Sequence, residues 1–475
     1  MLKFILTIVG FLCFVHQIHA QPSLGQGIMS GEVTQTSALL QSRLTKGRQL
    51  VNGDLLGQTG WAQFEISQSE DFNAPFTTGW QEAFARDDHI IKAQVDLLEP
   101  DTQYYYRLVY GSTTQNVKRS HTGTFHTLPK DQVIKPMRFV VVASMNYHKF
   151  LHTDQSEDKT QGYPAFAAIT QLKPDFFIST GNNVYYDYPS KPITRTVKQM
   201  RQKWHELFAQ PRFDQLAQHI PAYWQKNDRD YRFGDADPTG TRFPSHENGI
   251  AIFKEQVPIT TPFRKDAVTY RTHRLGKLVQ IWLTENRDYR SANDMPDEPN
   301  KTLWGNKQKE WLKRTLLESD ATFKFLISPT PIVGPDDVRR KDNHANLKGF
   351  RHEGDAFVTW LYRNAFYDKN FYIICGDRNW QYHNVHPTGF EEFGCGTLID
   401  ANAINGIHPG NHMSTDPNRL INQKYTYDKP KGGFIMVDIK AHKNGSATAS
   451  LIFYDEQGIE LYRAEKTAQV TSNQD

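Results

Sequence analysis

Excess of any one kind is missing from this chain. Among 475 residues there are three cysteines, Cys13, Cys375 and Cys395. Only the last two lie beyond the leader described below, and Cys375 ends an apolar run where a small core residue fits, so a Cys375 to Cys395 disulfide is left open. Charge of one sign is also scarce. Lys and Arg number 55 against 52 Asp and Glu, a net +3 that becomes +2 without Lys3, which is too little to argue for nucleic acid or membrane partners. After residue 15 no apolar run is long enough to span a bilayer. Internal repeats, heptads and low-complexity tracts are absent as well.

The beginning of the chain does carry a pattern. A basic Met-Leu-Lys, an almost wholly apolar run over residues 4–15 and a small residue at Ala20 read as a secretory leader over residues 1–20. Mature chain is expected from Gln21, exported to a periplasmic or secreted location. Asn444-Gly445-Ser446 has the form of a glycosylation acceptor, a common triplet of little weight.

Residues 27–129 show short alternating runs such as Ala62-Gln63-Phe64-Glu65-Ile66, punctuated by Gly, Asn, Asp and Pro. Glu99-Pro100-Asp101 followed by Tyr104-Tyr105-Tyr106 looks like the tyrosine corner of a fibronectin-like sandwich. A β-sandwich domain is therefore expected over residues 21–130, with a linker over 130–136. From residue 137 strands alternate with helices, the mark of a layered α/β domain, here assigned to residues 137–470. Strands are expected over 138–143, 175–179, 278–284, 323–328 and 371–375, and helices over 163–172, 194–216 and 306–317. Alternation returns over 432–463.

Four of those strands end in polar clusters: Ser144-Met145-Asn146-Tyr147-His148, Gly181-Asn182, Glu285-Asn286-Arg287 and Gly376-Asp377-Arg378-Asn379. Polar side chains at the carboxyl ends of buried strands are how an α/β enzyme builds one site. The second cluster belongs to Asp175-Phe176-Phe177-Ile178-Ser179-Thr180-Gly181-Asn182-Asn183-Val184-Tyr185, where an apolar run stops at a glycine.

These stretches resemble the alkaline phosphatase D, or PhoD-like, family of exported phosphatases and phosphodiesterases. Gly27-Ile28-Met29-Ser30-Gly31-Glu32 is similar to the family's opening, and Leu303-Trp304-Gly305 with Trp311-Leu312 and Ser319-Asp320-Ala321-Thr322-Phe323 to its late helix and strand. The resemblance implies an α/β layered metallophosphatase-like domain preceded by an N-terminal fibronectin-like β-sandwich. It also implies a dinuclear metal site, most of which does not carry over. Met145 stands where the family has a metal-binding Cys. Asn182 replaces the bridging Asp, although Tyr185 is kept. The segment matching Asp-Asp-His reads Asn227-Asp228-Arg229, and the late motif reads Gly376-Asp377-Arg378-Asn379, its Asp kept and its His lost. Cations want anionic oxygen, thiolate or basic imidazole, and Arg cannot give up its proton.

Those exchanges lead to the expectation of a site without metal or other cofactor. Asn146, His148, Asn182, Asn227, Arg287 and Asn379 are expected to hold an acidic group, with Tyr185, His383 and Arg229 as catalytic residues. Such neutral and cationic donors suit the enolate-like intermediate of a β-elimination. A carbon-oxygen lyase or dehydratase acting on uronate-bearing oligosaccharides is the expected function, the partner being an anionic oligosaccharide. A metal-dependent phosphatase or phosphodiesterase, and an inactive binding relative, are the alternatives. Arg287 and Arg290 have a plainer reading as an internal salt bridge under the site. Tyr186, Trp224 and Trp282 are expected in the core.

Overall fold

Two sheets stacked face to face form the centre of the structure, and the alternation of their strands explains how. In Met137–Val142 all residues but Arg138 are buried. Phe139 and Val141 point between the sheets, while Val140 and Val142 point to the other face, as a period of two requires. A computed structural model describes residues 20–470 apart from 157, 262, 263 and 265. Residues 1–19 of the expected leader lie outside the described residues.

The first sheet has nine strands, in the order Glu460–Gln469, Ser446–Asp455, Gly433–Ala441, Met137–Val142, Phe176–Ser179, Ala222–Trp224, Ile28–Gly31, Ala38–Arg43 and Ile90–Val95. Its central members are parallel, with Phe139 opposite Phe176 and Phe177 opposite Ala222. The second has seven, in the order Arg271–Leu275, Val279–Leu283, Phe323–Ser328, Phe371–Cys375, Glu391–Cys395, Gln381–Val385 and Asn422–Thr426. Phe139 and Phe325 meet edge to face at 5.6 Å across the gap between them. Trp224 is buried against the outer helices of the first sheet and Trp282 against those of the second.

Helices cover both outer faces. Pro164–Leu172, Val197–Phe208, Pro211–Ala217 and His246–Gln256 lie on the first sheet; Asn306–Glu318 and Arg351–Arg363 lie on the second. The single helix expected over 194–216 is two. Pro211 takes the first turn of the second helix, and its ring disfavours helical backbone at Gln210, which is extended. Cys375 and Cys395 are buried free thiols, Cys375 Sγ lying 3.1 Å from the Tyr382 hydroxyl. No helix of the described residues is long and apolar enough to cross a membrane.

A third, smaller sheet builds the N-terminal sandwich around Trp61–Ser67 paired with Gln103–Gly111. The tyrosine corner is present: Glu99 N–H donates to the Tyr104 hydroxyl at 2.8 Å. The other sheet of this region is not separate. Ile28–Gly31 pairs with Ala222–Trp224, so one nine-stranded sheet runs through the expected boundary at residue 130. Side chains strengthen the junction. His205, on Val197–Phe208, bonds Asp54 and Asp88 at 2.7 Å each, and Arg43 and Gln256 also bond Asp88.

Asp88 is held below the ordinary carboxylate range because, although burial opposes it, His205, Arg43 and Gln256 outweigh burial. Asp54 is lowered chiefly by its bond to His205. A carboxylate lowered in the folded state adds stability above its unfolded pKa and loses it as pH falls through the folded value. His205→Ala is therefore expected to cost about 1–3 kcal/mol and to move the acid-unfolding midpoint to higher pH. Circular dichroism during acid titration reads both; an unchanged midpoint would count against the junction.

Candidate functional site

The carboxyl ends of the central strands converge at one place, and the backbone there is bent sharply. Ser144, Asn182 and Asp377, each just past a strand, have φ of 58°, 55° and 70°. Non-glycine residues in the left-handed region are uncommon and gather at functional sites. Gly181, with φ 103°, packs so tightly on the next loop that an added Cβ would lie 2.4 Å from Asn227 N. Only glycine allows that approach.

The loops are tied together from below. Asp230, fully buried, accepts from Asn183 N–H at 3.0 Å and from Asn227 N–H at 2.8 Å. Burial pushes its carboxyl up to about 7 against those bonds. Lys226, also buried, bridges Glu285 at 2.7 Å and Asp288.

At the strand ends one oxygen each of Asp228, Asp342 and Asp377 lie within 4.8 Å of one another, the one such acidic group among the described residues. Each carboxylate has a guanidinium near it, that of Asp228 being the most distant, with Arg229 Nε at 4.0 Å. Arg287 forks onto Asp342 at 2.8 and 2.7 Å, and Arg290 approaches the same group at 3.1 Å. Arg378 joins Asp377 to Asp336, and Arg340 joins Asp235. Asp342 and Asp336 are both held low, since these arginines outweigh the burial that would raise them. Asp228 accepts from Asp235 N–H at 2.7 Å through Oδ2, while its buried Oδ1 has no partner among the described residues.

The expected site residues fall into two sets. Asn227 gives its amide to Asp377 at 2.8 Å and takes Arg287 Nε at 3.1 Å on its carbonyl. Arg287 is wholly buried. Both are spent inside the protein, in line with the plainer reading of Arg287 and Arg290. Asn146 caps the short helix that follows it, accepting from Lys149 N–H at 3.1 Å. Asn182 accepts from Arg229 N–H at 3.1 Å. Asn379 and Tyr185 both meet the Asn402 amide, at 3.4 and 3.1 Å.

Tyr185 and His148 line one small cleft at the mouth, and Arg229 lies beside Tyr185. Arg229 pairs with Asp187, lies 5.6 Å from the Tyr185 ring and remains 35% exposed. Burial, partly offset by Arg229, pushes the Tyr185 phenol up to about 12, so it stays protonated at neutral pH. His148 is lowered by burial and then by His152 and Lys203, which favours neutral imidazole. His383 is not gathered with them. Its nitrogens bond Tyr462 at 3.0 Å and Glu391 at 2.7 Å, and its ring stacks on Phe393.

Sequence reasoning missed Asp336, Arg340 and Asp342. They sit in the loop over residues 329–350, which has no strand or helix pattern, and only the fold brings them under Asn227. The residues present do not fit a two-metal centre. Met145 offers no anion, the carbonyls of Asn182 and Asn227 are taken, Asn379 is neutral, and an ion sharing Asp342 or Asp377 would face a guanidinium already bonded there. Arg287→Met is expected to destabilise the fold by about 3–5 kcal/mol, because it leaves a buried carboxylate short of its partner. Urea unfolding measures this, and a loss under about 1 kcal/mol would mean that the pair is not buried as described.

Comparison with known proteins settles the family. The model of the PhoD-like phosphatase family matches residues 139–443, and that of the PhoD-like phosphatase N-terminal domain matches 15–129. Alkaline phosphatase D of Bacillus subtilis (strain 168) is 23% identical over 350 residues, covering 65% of this chain and 57% of its own length. The chain thus spans a little over half of that relative. The solved structure of PhoD superimposes with a TM-score of 0.71 at 18% identity, covering 94% of this chain and 90% of its own. Purple acid phosphatase PPD1 from yellow lupin (Lupinus luteus) gives 0.60 at 13%, covering 95% and 74%. These findings overturn the expected carbon-oxygen lyase acting on uronate oligosaccharides, because the family and its relatives are phosphatases. The physical reason is visible in the site: Asn227 and Arg287 bond other protein groups, Tyr185 is a poor base, and His383 sits elsewhere. Matched over both its parts, the chain belongs to the PhoD-like phosphatase family.

Proposed function

We propose that this chain is a phosphoric ester hydrolase whose ligand enters at the strand-end pocket beside Tyr185. The observation that supports this reading is the positive charge gathered beside Tyr185, where Lys149 has no described carboxylate partner and Arg229, though paired with Asp187, stays partly exposed. Lys149 lies 5.9 Å from the Tyr188 ring, and no described carboxylate is within salt-bridge distance of it. Burial and the nearby charge of Arg229 lower its pKa. Two neighbouring cations that repel one another are stabilised together by an anion placed between them.

A phosphoryl group is the anion that family membership favours. Arg229 gives forked, charge-assisted hydrogen bonds to its oxygens, and Lys149 adds a point charge. Tyr185, protonated, donates rather than accepts. His148, held neutral, is the group at the mouth able to take or return a proton near pH 7. Water would be the attacking group, and the ester oxygen would leave with a proton. We also propose that residues 1–20 direct export, on the basic and apolar pattern of the leader.

Binding without turnover is a second reading, favoured by the loss of the family's metal ligands at Met145, Asn182 and Asn379. One experiment separates the two. Aryl phosphate monoesters and diesters should release the aryl alcohol, and Arg229→Gln or Lys149→Ala should each raise KM by about 10-fold to 100-fold, the range of a lost charge-assisted bond. Calorimetric binding of the same esters with no release would establish the binder. Neither release nor binding would contradict the phosphoric ester reading altogether.

A further inference from the structure

The guanidinium network under the pocket does more than fill space. In the family resemblance, cations neutralise the acidic groups at these strand ends. Here Arg287, Arg290 and Arg378 stand against Asp342, Asp377 and Asp336, and all six side chains are nearly or wholly buried. Arg287 is moreover fixed on three sides, by Asp342, by the Asn227 carbonyl and by the Ala236 carbonyl at 2.9 Å.

We propose that these arginines are resident cations which replace the metal ions of the site, so that the chain folds and holds its anionic ligand without a divalent ion. The inference concerns the same pocket and takes the phosphoric ester reading as its starting point. Three features argue for it. The guanidinium keeps its proton at any pH the protein meets, so the charge cannot be switched off to admit a metal. A forked guanidinium satisfies both oxygens of Asp342, the geometry that makes this pair strong. Asp228 Oδ1 is the single oxygen of the three clustered carboxylates left without a partner, whereas divalent ions ask for several oxygen or nitrogen ligands.

The replacement also accounts for the exchanges along the chain. With permanent positive charge below, anionic ligands above would not be needed. Asn182 is therefore free to use its carbonyl on Arg229 N–H, and Asn227 to bridge Arg287 and Asp377. Asn227 donates to the Asp377 carboxylate as a neutral group, which an Asp in its place could not do without like-charge repulsion.

Elemental analysis of the full chain, purified without chelator, tests this independently of turnover. Iron, zinc, calcium, manganese and magnesium should each be far below one per chain. Melting should move by less than about 1 °C between excess chelator and millimolar divalent ion, since an ion that binds only the folded state raises the melting temperature. Arg378→Gln removes the guanidinium that bonds both Asp336 and Asp377, and in that variant alone the melting temperature should rise when divalent ion is added. Stoichiometric metal in the wild type, or a wild-type melting temperature that rises with metal as much as the variant's, would overturn the proposal. Should Arg378→Gln fail to fold, the wild-type measurements still decide. Absence of ester hydrolysis with no bound metal would defeat the hydrolase reading and leave this one standing.

Discussion

Pairing of buried carboxylates with buried guanidiniums at the strand ends is the constraint on which the rest of the structure depends. Burying one such ion alone is prohibitive, and burying it with its partner is tolerable only in a fixed geometry. Asp342 can sit at 0% exposure because Arg287 and Arg290 reach it from the loop after Val279–Leu283. Asp377 can leave its strand with positive φ because Asn227 and Arg378 hold its oxygens. The loops over 225–235, 284–293, 329–350 and 376–380 are thereby fixed to one another, and the pocket above them inherits their positions.

That arrangement separates two jobs among the basic residues of the site. Arg287, Arg290 and Arg378 are structural charges that solvent does not reach. Arg229 and Lys149, on other loops, are the cations to which the proposed ligand is assigned. Burial draws the line between them: side-chain exposure is 35% for Arg229 and 0% for Arg287. The same burial keeps Tyr185 protonated and makes it a hydrogen-bond donor beside the cations. The fold supplies a phosphatase scaffold, and the charge pattern within it differs from the one that two metal ions would require.

Much of the fold was legible because it rests on local pattern. The runs at 138–143, 175–179, 323–328 and 371–375 are apolar on both faces, which only a doubly covered strand explains, and Glu99-Pro100 followed by Tyr104 marks the sandwich corner. Asn182 could be picked out from its place after a strand, and Asn227 from the family resemblance. What those amides bond could not be, since Asn182 takes the Arg229 N–H and Asn227 joins Arg287 to Asp377, partners 47 to 150 residues away whose pairing no spacing announces. His383 misled for a related reason. It follows the Asp377 cluster closely in sequence, but Gln381–Val385 is a strand, and alternate residues of a strand face opposite ways. The elimination chemistry failed at this step, because a list of donors says nothing of which are already paired.

A crystal structure with inorganic phosphate bound, collected at wavelengths where transition metals scatter anomalously, tests the central claim most directly. The account predicts phosphate oxygens on Arg229 and Lys149, Arg287 still forked onto Asp342, and no anomalous peak near Asp228. A metal peak shared by Asp228, Asp342 and Asp377, with Arg287 turned away, would contradict it.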